Sequence, residues 1–99
     1  MKLHPIHPGE VLREEFLVPM GITAGALAKN LHTDAPRVND IVRGRRNITA
    51  DTAMRLARYF GNSATFWLNL QTQYDLDRAH DALDEKIKRE VRPREAAHA

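Results

Sequence analysis

Cysteine is absent from this 99-residue chain. That excludes disulfide staples and thiolate metal sites, and it suits a reducing compartment. No long apolar run opens the sequence, which predicts no secretory leader. No stretch is long and apolar enough to span a bilayer, so a cytoplasmic protein is expected, with no membrane partner. Charge of one sign is also scarce: fifteen Lys and Arg face thirteen Asp and Glu, a formal charge of +2. That balance alone implies nothing about nucleic acid. No P-loop, dinucleotide fingerprint or serine–histidine–acid order occurs, so neither an enzyme nor a cofactor is expected. Strand alternation, internal repeats and low-complexity linkers are lacking too, which leaves an all-α chain of one small domain.

Glycine and proline divide the chain into five helical segments. His7-Pro8-Gly9-Glu10 opens the first, with proline in the first turn and Glu10 near the positive helix end. Its apolar residues are Val11, Leu12, Phe16 and Leu17, and Pro19 and Gly21 end it. Thr49 is placed to cap a fourth helix that packs with Ala53, Leu56, Ala57 and Phe60 and stops at Gly61. Ser63 caps a long fifth helix, from Ala64 to near Arg89. The domain is expected over residues 1–92, with a frayed tail over 93–99. The core should hold Leu12, Phe16, Leu27, Leu31, Val38, Ile41, Leu56, Phe60 and Trp67.

The second and third segments lie in TAGALAKNLHTDAPRVNDIVRGRR, Thr23 to Arg46. Ala24, Leu27, Ala28 and Leu31 follow the i, i+3, i+4, i+7 pattern of a buried face. Ala35, Val38, Ile41 and Val42 form another. Thr23 is placed to cap the first of these helices and Thr33 or Asp34 the second, and Gly44 supplies a left-handed stop. This is the layout of a helix-turn-helix, which presents its second helix to the major groove of DNA. The free face of that helix carries Pro36, Asn39, Asp40 and Arg43, with Arg37 at its margin. Arg37 and Arg43 suit guanine O6 and N7, or phosphates, and Asn39 suits adenine or a phosphate. Asp40 either accepts from cytosine N4 or holds Arg37 or Arg43 in one rotamer, with the second role favoured. Arg45, Arg46 and Asn47 follow in a loop suited to backbone contacts, and Thr23 to a phosphate at a helix start.

The long fifth helix has two apolar stripes. Phe66, Trp67, Leu70 and Tyr74 share one face, and Leu68, Leu76, Ala79, Leu83 and Ile87 a roughly opposite one. One stripe closes the core. The other is either an interface with a second copy, through Leu76, Ala79, Leu83 and Ile87, or is buried by a bend of the helix itself. Trp67 is read as core filling. His4 and His7 have the spacing of a metal pair, but no third ligand converges on them. They are assigned to a mobile N-terminal arm, and no metal is expected.

Four runs together resemble the HigA family of antitoxins, also called virulence-associated or plasmid-maintenance antidote proteins, within the phage-repressor-like helix-turn-helix class. They are HPGEVLREEFLVPMGIT, LAKNL, IVRGRRNITADTAMRLARYFG and SATFWLNLQTQYDL, and they lie within His7 to Leu76. The resemblance implies a dimer on a palindromic operator, repression of the chain's own toxin–antitoxin operon, and neutralisation of HigB, a RelE-like mRNA interferase. A stand-alone repressor of the same fold, without a toxin, is the alternative. Three positions depart from common repressor patterns: Ala24 and Ala35 replace frequent glutamines, and His32 replaces a frequent glycine at a turn where φ is positive. With no long acidic tail to wrap a cationic toxin, a folded surface bearing Glu10, Glu14 and Glu15 is the expected toxin contact.

Overall fold

The computed structural model describes residues 4–95. Among them every regular element is helical. The first helix, α1, runs without a break through Pro8–Val11, Leu12–Leu17 and Val18–Met20. Its middle section is a π-helix, in which the Val18 N–H reaches back to the Arg13 carbonyl. The cause lies just beyond. A proline inside a helix has no N–H and crowds the carbonyl four residues earlier, and Pro19 is such a proline. Wider turns relieve that crowding and bring residues five apart onto one face. Leu12 and Leu17 are both buried as a result, at 1% and 5% exposure. Phe16, expected in the core, is only half-buried. Gly21 ends the helix in the left-handed region at φ 65°.

Local capping fixes the remaining helices. They are α2 (Ala24–Leu31), α3 (Ala35–Val42), α4 (Ala50–Phe60) and α5 (Ala64–Glu90). The Thr23, Thr49 and Ser63 hydroxyls accept from the N–H three residues on, at 3.1, 3.4 and 3.0 Å. Asp34 occupies the N-cap position of α3, but neither it nor Thr33 makes a side-chain cap bond there. Pro36 in the first turn of α3 already removes one orphan donor. His32 turns the chain between α2 and α3 at φ 56° and ψ 46°, the left-handed conformation expected at that position. The Arg55 guanidinium secures this turn. It donates to the Leu31 carbonyl at 2.8 Å and the His32 carbonyl at 3.4 Å, while Asp51 holds its Nε at 3.1 Å.

Leu27, Ala53 and Trp67 are fully buried, with Leu12, Val38, Ile41 and Leu56 around them. Helix α2 packs on α3, α4 on α5, and α1 against both α3 and α5. Trp67 is core, with its indole N–H satisfied by Asn62 Oδ1 at 2.9 Å. Phe60 is half-buried beside it rather than enclosed, and Phe66 is 38% exposed rather than core-facing. Leu68, placed by periodicity on the outer stripe, packs against the core, as do Leu17 and Ile48.

One contact in this packing is backbone to backbone. A Cβ added at Gly9 would lie 1.7 Å from the Ile41 carbonyl oxygen. Only glycine lets α1 approach α3 so closely. Gly9→Ala is expected to destabilise the fold by roughly 1–3 kcal/mol through overpacking. Gly25→Ala on α2, where nothing lies within 4 Å of the added Cβ, should instead stabilise by about 0.4–1 kcal/mol. Urea unfolding of the two variants checks the pair.

Candidate nucleic-acid interface

Helix α3 buries Val38 and Ile41 and leaves Pro36, Asn39 and Arg43 exposed, with Arg37, Asp40 and Val42 half-buried. The free face therefore carries the residues expected there. Behind it the chain turns at Gly44, φ 75°, and runs on through Arg45, Arg46 and Asn47 to Ile48, which is buried again. Arg37, Arg45, Arg46 and Asn47 converge with Thr49 and Thr52 around an open notch of about 450 Å³. Arg43 lies apart from them. It shares a smaller notch of about 130 Å³ with His7, Glu10 and Arg13.

The acidic residues on this surface are partners of its arginines. Asp34 Oδ1 lies 3.4 Å from Arg37 Nε, outside good hydrogen-bond geometry. Asp40 Oδ2 lies 3.4 Å from Arg46 Nη2. Asp40 thus pairs with the loop arginine Arg46, whereas the sequence pattern favours Arg37 or Arg43 as its partner. The tight turn at Gly44, closed by the Arg45 N–H on the Asp40 carbonyl at 2.7 Å, brings the loop back over the helix. Linear periodicity carries no information about that return. Thr33 Oγ1 is 3.5 Å from Asp34 Oδ1, and Thr23 uses its hydroxyl as a cap.

Two residues that sequence reasoning assigned elsewhere or passed over hold this loop. His7 is buried, not part of a mobile arm, while His4 is exposed. Its Nδ1 accepts the Gly9 N–H at 2.8 Å as the N-cap of α1. Its ring lies edge-on to Tyr74 of α5, centroids 4.8 Å apart, and borders the smaller notch with Gly44, where an added Cβ would lie 3.7 Å from the ring. The signal was available in the histidine before Pro-Gly-Glu, since an N-cap needs a side-chain acceptor. The second residue, Gln71, is buried on α5 and accepts the Ile48 N–H at 2.7 Å. Nothing local in sequence marks it.

Among the described residues no group of three or more histidine, acidic or cysteine side chains is arranged to hold a metal, and no helix is long and apolar enough to cross a membrane. Glu10, Glu14 and Glu15 are exposed on α1, and Glu14 is paired with Arg13 at 3.2 Å. On the projecting half of α5, Leu76, Leu83 and Ile87 are 48%, 41% and 49% exposed, with Ala79 half-exposed.

A short helix with a polar outward face, braced by a second helix and followed by a cationic loop, defines a helix-turn-helix DNA-binding domain. The helix-turn-helix family model matches residues 12–67. Virulence-associated protein I of Dichelobacter nodosus is 65% identical over 74 residues, 75% of this chain and 68% of that protein. Antitoxin HigA-1 of Vibrio cholerae is 39% identical, covering 88% of this chain and 82% of that one. A solved Pseudomonas aeruginosa antitoxin HigA with the higBA promoter is 53% identical, with a TM-score of 0.88 over 91% of this chain and 98% of its own. This chain belongs to the HigA antitoxin family, whose helix-turn-helix members are DNA-binding regulators and not enzymes.

Burial pushes His7 below its ordinary value of 6.5. The Arg46 backbone, not in hydrogen-bond geometry with Nε2, and the Asp75 charge pull more weakly upward, while Arg78 pushes it slightly further down. The neutral ring is also the form that can cap. An unfolded chain therefore takes up a proton below about pH 6.5 that the folded chain refuses, and stability falls as pH drops through that value and toward the lower folded one. The urea midpoint should be flat above pH 7 and decline from there to pH 5.5. His7→Asn, which keeps a cap acceptor, should flatten the decline; an unchanged slope would assign the effect to another group.

Proposed function

We propose that this chain is the antitoxin of a toxin–antitoxin pair and the repressor of its own operon. It acts in the cytoplasm as a two-fold dimer on palindromic operator DNA. The observation that carries the DNA half is the grouping of Arg37, Arg45, Arg46 and Asn47 around one notch beside the outward face of α3. In this reading Arg37, Asn39 and Arg43 read base edges, and Pro36 packs against the groove. Arg45, Arg46 and Asn47 hold backbone phosphates, with Thr23 and Thr33 adding contacts at helix starts. Asp34 and Asp40 orient Arg37 and Arg46. The structure of the Pseudomonas aeruginosa antitoxin HigA with the higBA promoter supports DNA binding by this fold.

Arg37→Ala and Arg43→Ala are expected to weaken operator binding by about 1–3 kcal/mol each and to relax sequence preference. Arg46→Ala should weaken operator and random DNA alike and flatten the salt dependence. Anisotropy titrations with both duplexes at several salt concentrations separate the two classes. Equal losses on both duplexes for all three variants would make every one a phosphate contact.

The dimer is argued from α5. The radius of gyration is 17.1 Å, against about 13 Å for a compact chain of this length. The excess reflects the half of α5 that leaves the domain with Leu76, Ala79, Leu83 and Ile87 uncovered. A second copy on that stripe supplies the two-fold symmetry of a palindromic site, with reading helices about 34 Å apart. Leu83→Asp should yield a folded monomer with much weaker operator binding, because a charge in an apolar seam lacks a partner. Sedimentation of the parent chain as a monomer at tens of micromolar, with tight operator binding, would refute the arrangement.

The toxin half rests on family membership. The partner is a small cationic HigB-type ribonuclease, and the exposed carboxylates of Glu10, Glu14 and Glu15 on α1 are its contact surface. Charge reversal at Glu14 and Glu15 should weaken toxin binding in a pull-down and spare operator binding. Unchanged toxin capture would eliminate this face, and the lack of any captured toxin would favour a stand-alone repressor.

A further inference from the structure

Gln71 is a polar side chain buried in the core-facing side of α5, at 6% exposure. The hydrogen bonds around it admit one orientation. The Ile48 N–H can only donate, so the atom facing it at 2.7 Å is Gln71 Oε1. Gln71 Nε2 is then turned to the other side. There it donates to Asp75 Oδ1 at 3.0 Å and to Asn47 Oδ1 at 3.1 Å. Asp75, a carboxylate, only accepts, and so demands the same orientation independently. Asn47 must therefore turn its carbonyl oxygen inward. Its Nδ2H2 group, which carries two donors and no acceptor, is left for the notch that Asn47 lines with Arg37, Arg45 and Arg46.

We propose that Gln71 is a positioning residue for DNA binding, which locks the Asn47 amide with its Nδ2H2 group toward a backbone phosphate. This rests on the reading of Asn47 as a phosphate contact. An unrestrained asparagine amide takes either face by a half-turn of its last torsion, since that torsion is broad and roughly two-fold. One face offers donors to a phosphate; the other sets a carbonyl oxygen against phosphate oxygens. The chain Ile48–Gln71–Asn47 removes the second state before DNA arrives. It also ties the loop to α5, an element that lies outside the helix-turn-helix pair. The Arg46 guanidinium is held by Asp40 by a separate route, so the two phosphate ligands are set independently.

The test is a double-mutant cycle. Gln71→Glu keeps the acceptor for Ile48 and removes the donor to Asn47. Gln71→Met removes both without adding charge. Each is prepared alone and with Asn47→Ala, and titrated with a labelled duplex of the DNA upstream of this gene and with a random duplex. Folding is checked by circular dichroism. Asn47→Ala should lower affinity roughly tenfold on both duplexes, the scale of one hydrogen bond to a charged group. Each Gln71 variant should lower it several-fold on its own and by less than about twofold in the Asn47→Ala background. Equal losses with and without Asn47 would overturn the proposal and leave Gln71 a stabiliser of the fold. No effect of Asn47→Ala would overturn the phosphate reading itself, and the proposal with it. The unaltered 15N-labelled protein gives a check that needs no substitution: the Asn47 Nδ2H2 resonances should move on adding duplex while those of Gln71 hold their positions. The reverse pattern would refute the orientation.

Discussion

The close approach of Gly9 to the Ile41 carbonyl is the constraint on which the rest of the molecule depends. A reading helix of eight residues is too short to be stable alone. Its orientation has to be imposed by its neighbours, and backbone contact imposes it more tightly than flexible side chains do. Once α1 lies against the end of α3, the His7 ring reaches Gly44 and Tyr74, and α5 closes over Ile48. The segment from Ile41 to Ile48 is then gripped from two sides. The two grips come from HPGE and from the SATFWLNLQTQYDL run, which are over 50 residues apart in sequence. Both motifs converge on the same turn.

Much of the fold could be read from the chain because its helix boundaries are local events. Thr23, Thr49 and Ser63 each cap within three residues, and Gly21, Gly44 and Gly61 each turn on their own φ. His32 was legible for the same reason. What could not be read were polar contacts made across long separations. Arg55 serves the end of α2 from α4, and Gln71 serves the loop from α5; hydrophobic periodicity ignores both. The π section escaped as well, because a search at 3.6 residues per turn sets Leu12 and Phe16 on one face and turns Leu17 aside. In the candidate site, residue types on α3 were legible and their pairing was not. The return of the loop, not the helical spacing, decides that Asp40 meets Arg46.

Two aspartates on the surface proposed to meet DNA look counterproductive until their geometry is considered. Both lie at 3.4 Å from an arginine, and both pairs are partly open to solvent. Pairs of that kind add little to stability. In the proposed reading their effect is on side-chain freedom, since an arginine restrained by a neighbouring carboxylate loses less on binding. In the proposed reading the aspartates also lessen attraction to DNA of any sequence, which shifts the balance from general affinity toward selection.

The π section of α1 has a consequence for chain length. It lies between two anchors, Gly9 against Ile41 and Leu17 in the core. The side chains it exposes, Arg13, Glu14 and Glu15, face solvent and, as far as packing is concerned, tolerate exchange. The number of residues between the anchors does not. Dropping one would allow an ordinary α-helical pitch but rotate Gly9 by about 100° relative to Leu17. A bulkier neighbour would then meet the Ile41 carbonyl, and the end of the reading helix would be pushed out of line. On the outer side of this stretch packing leaves the spelling free and fixes the count.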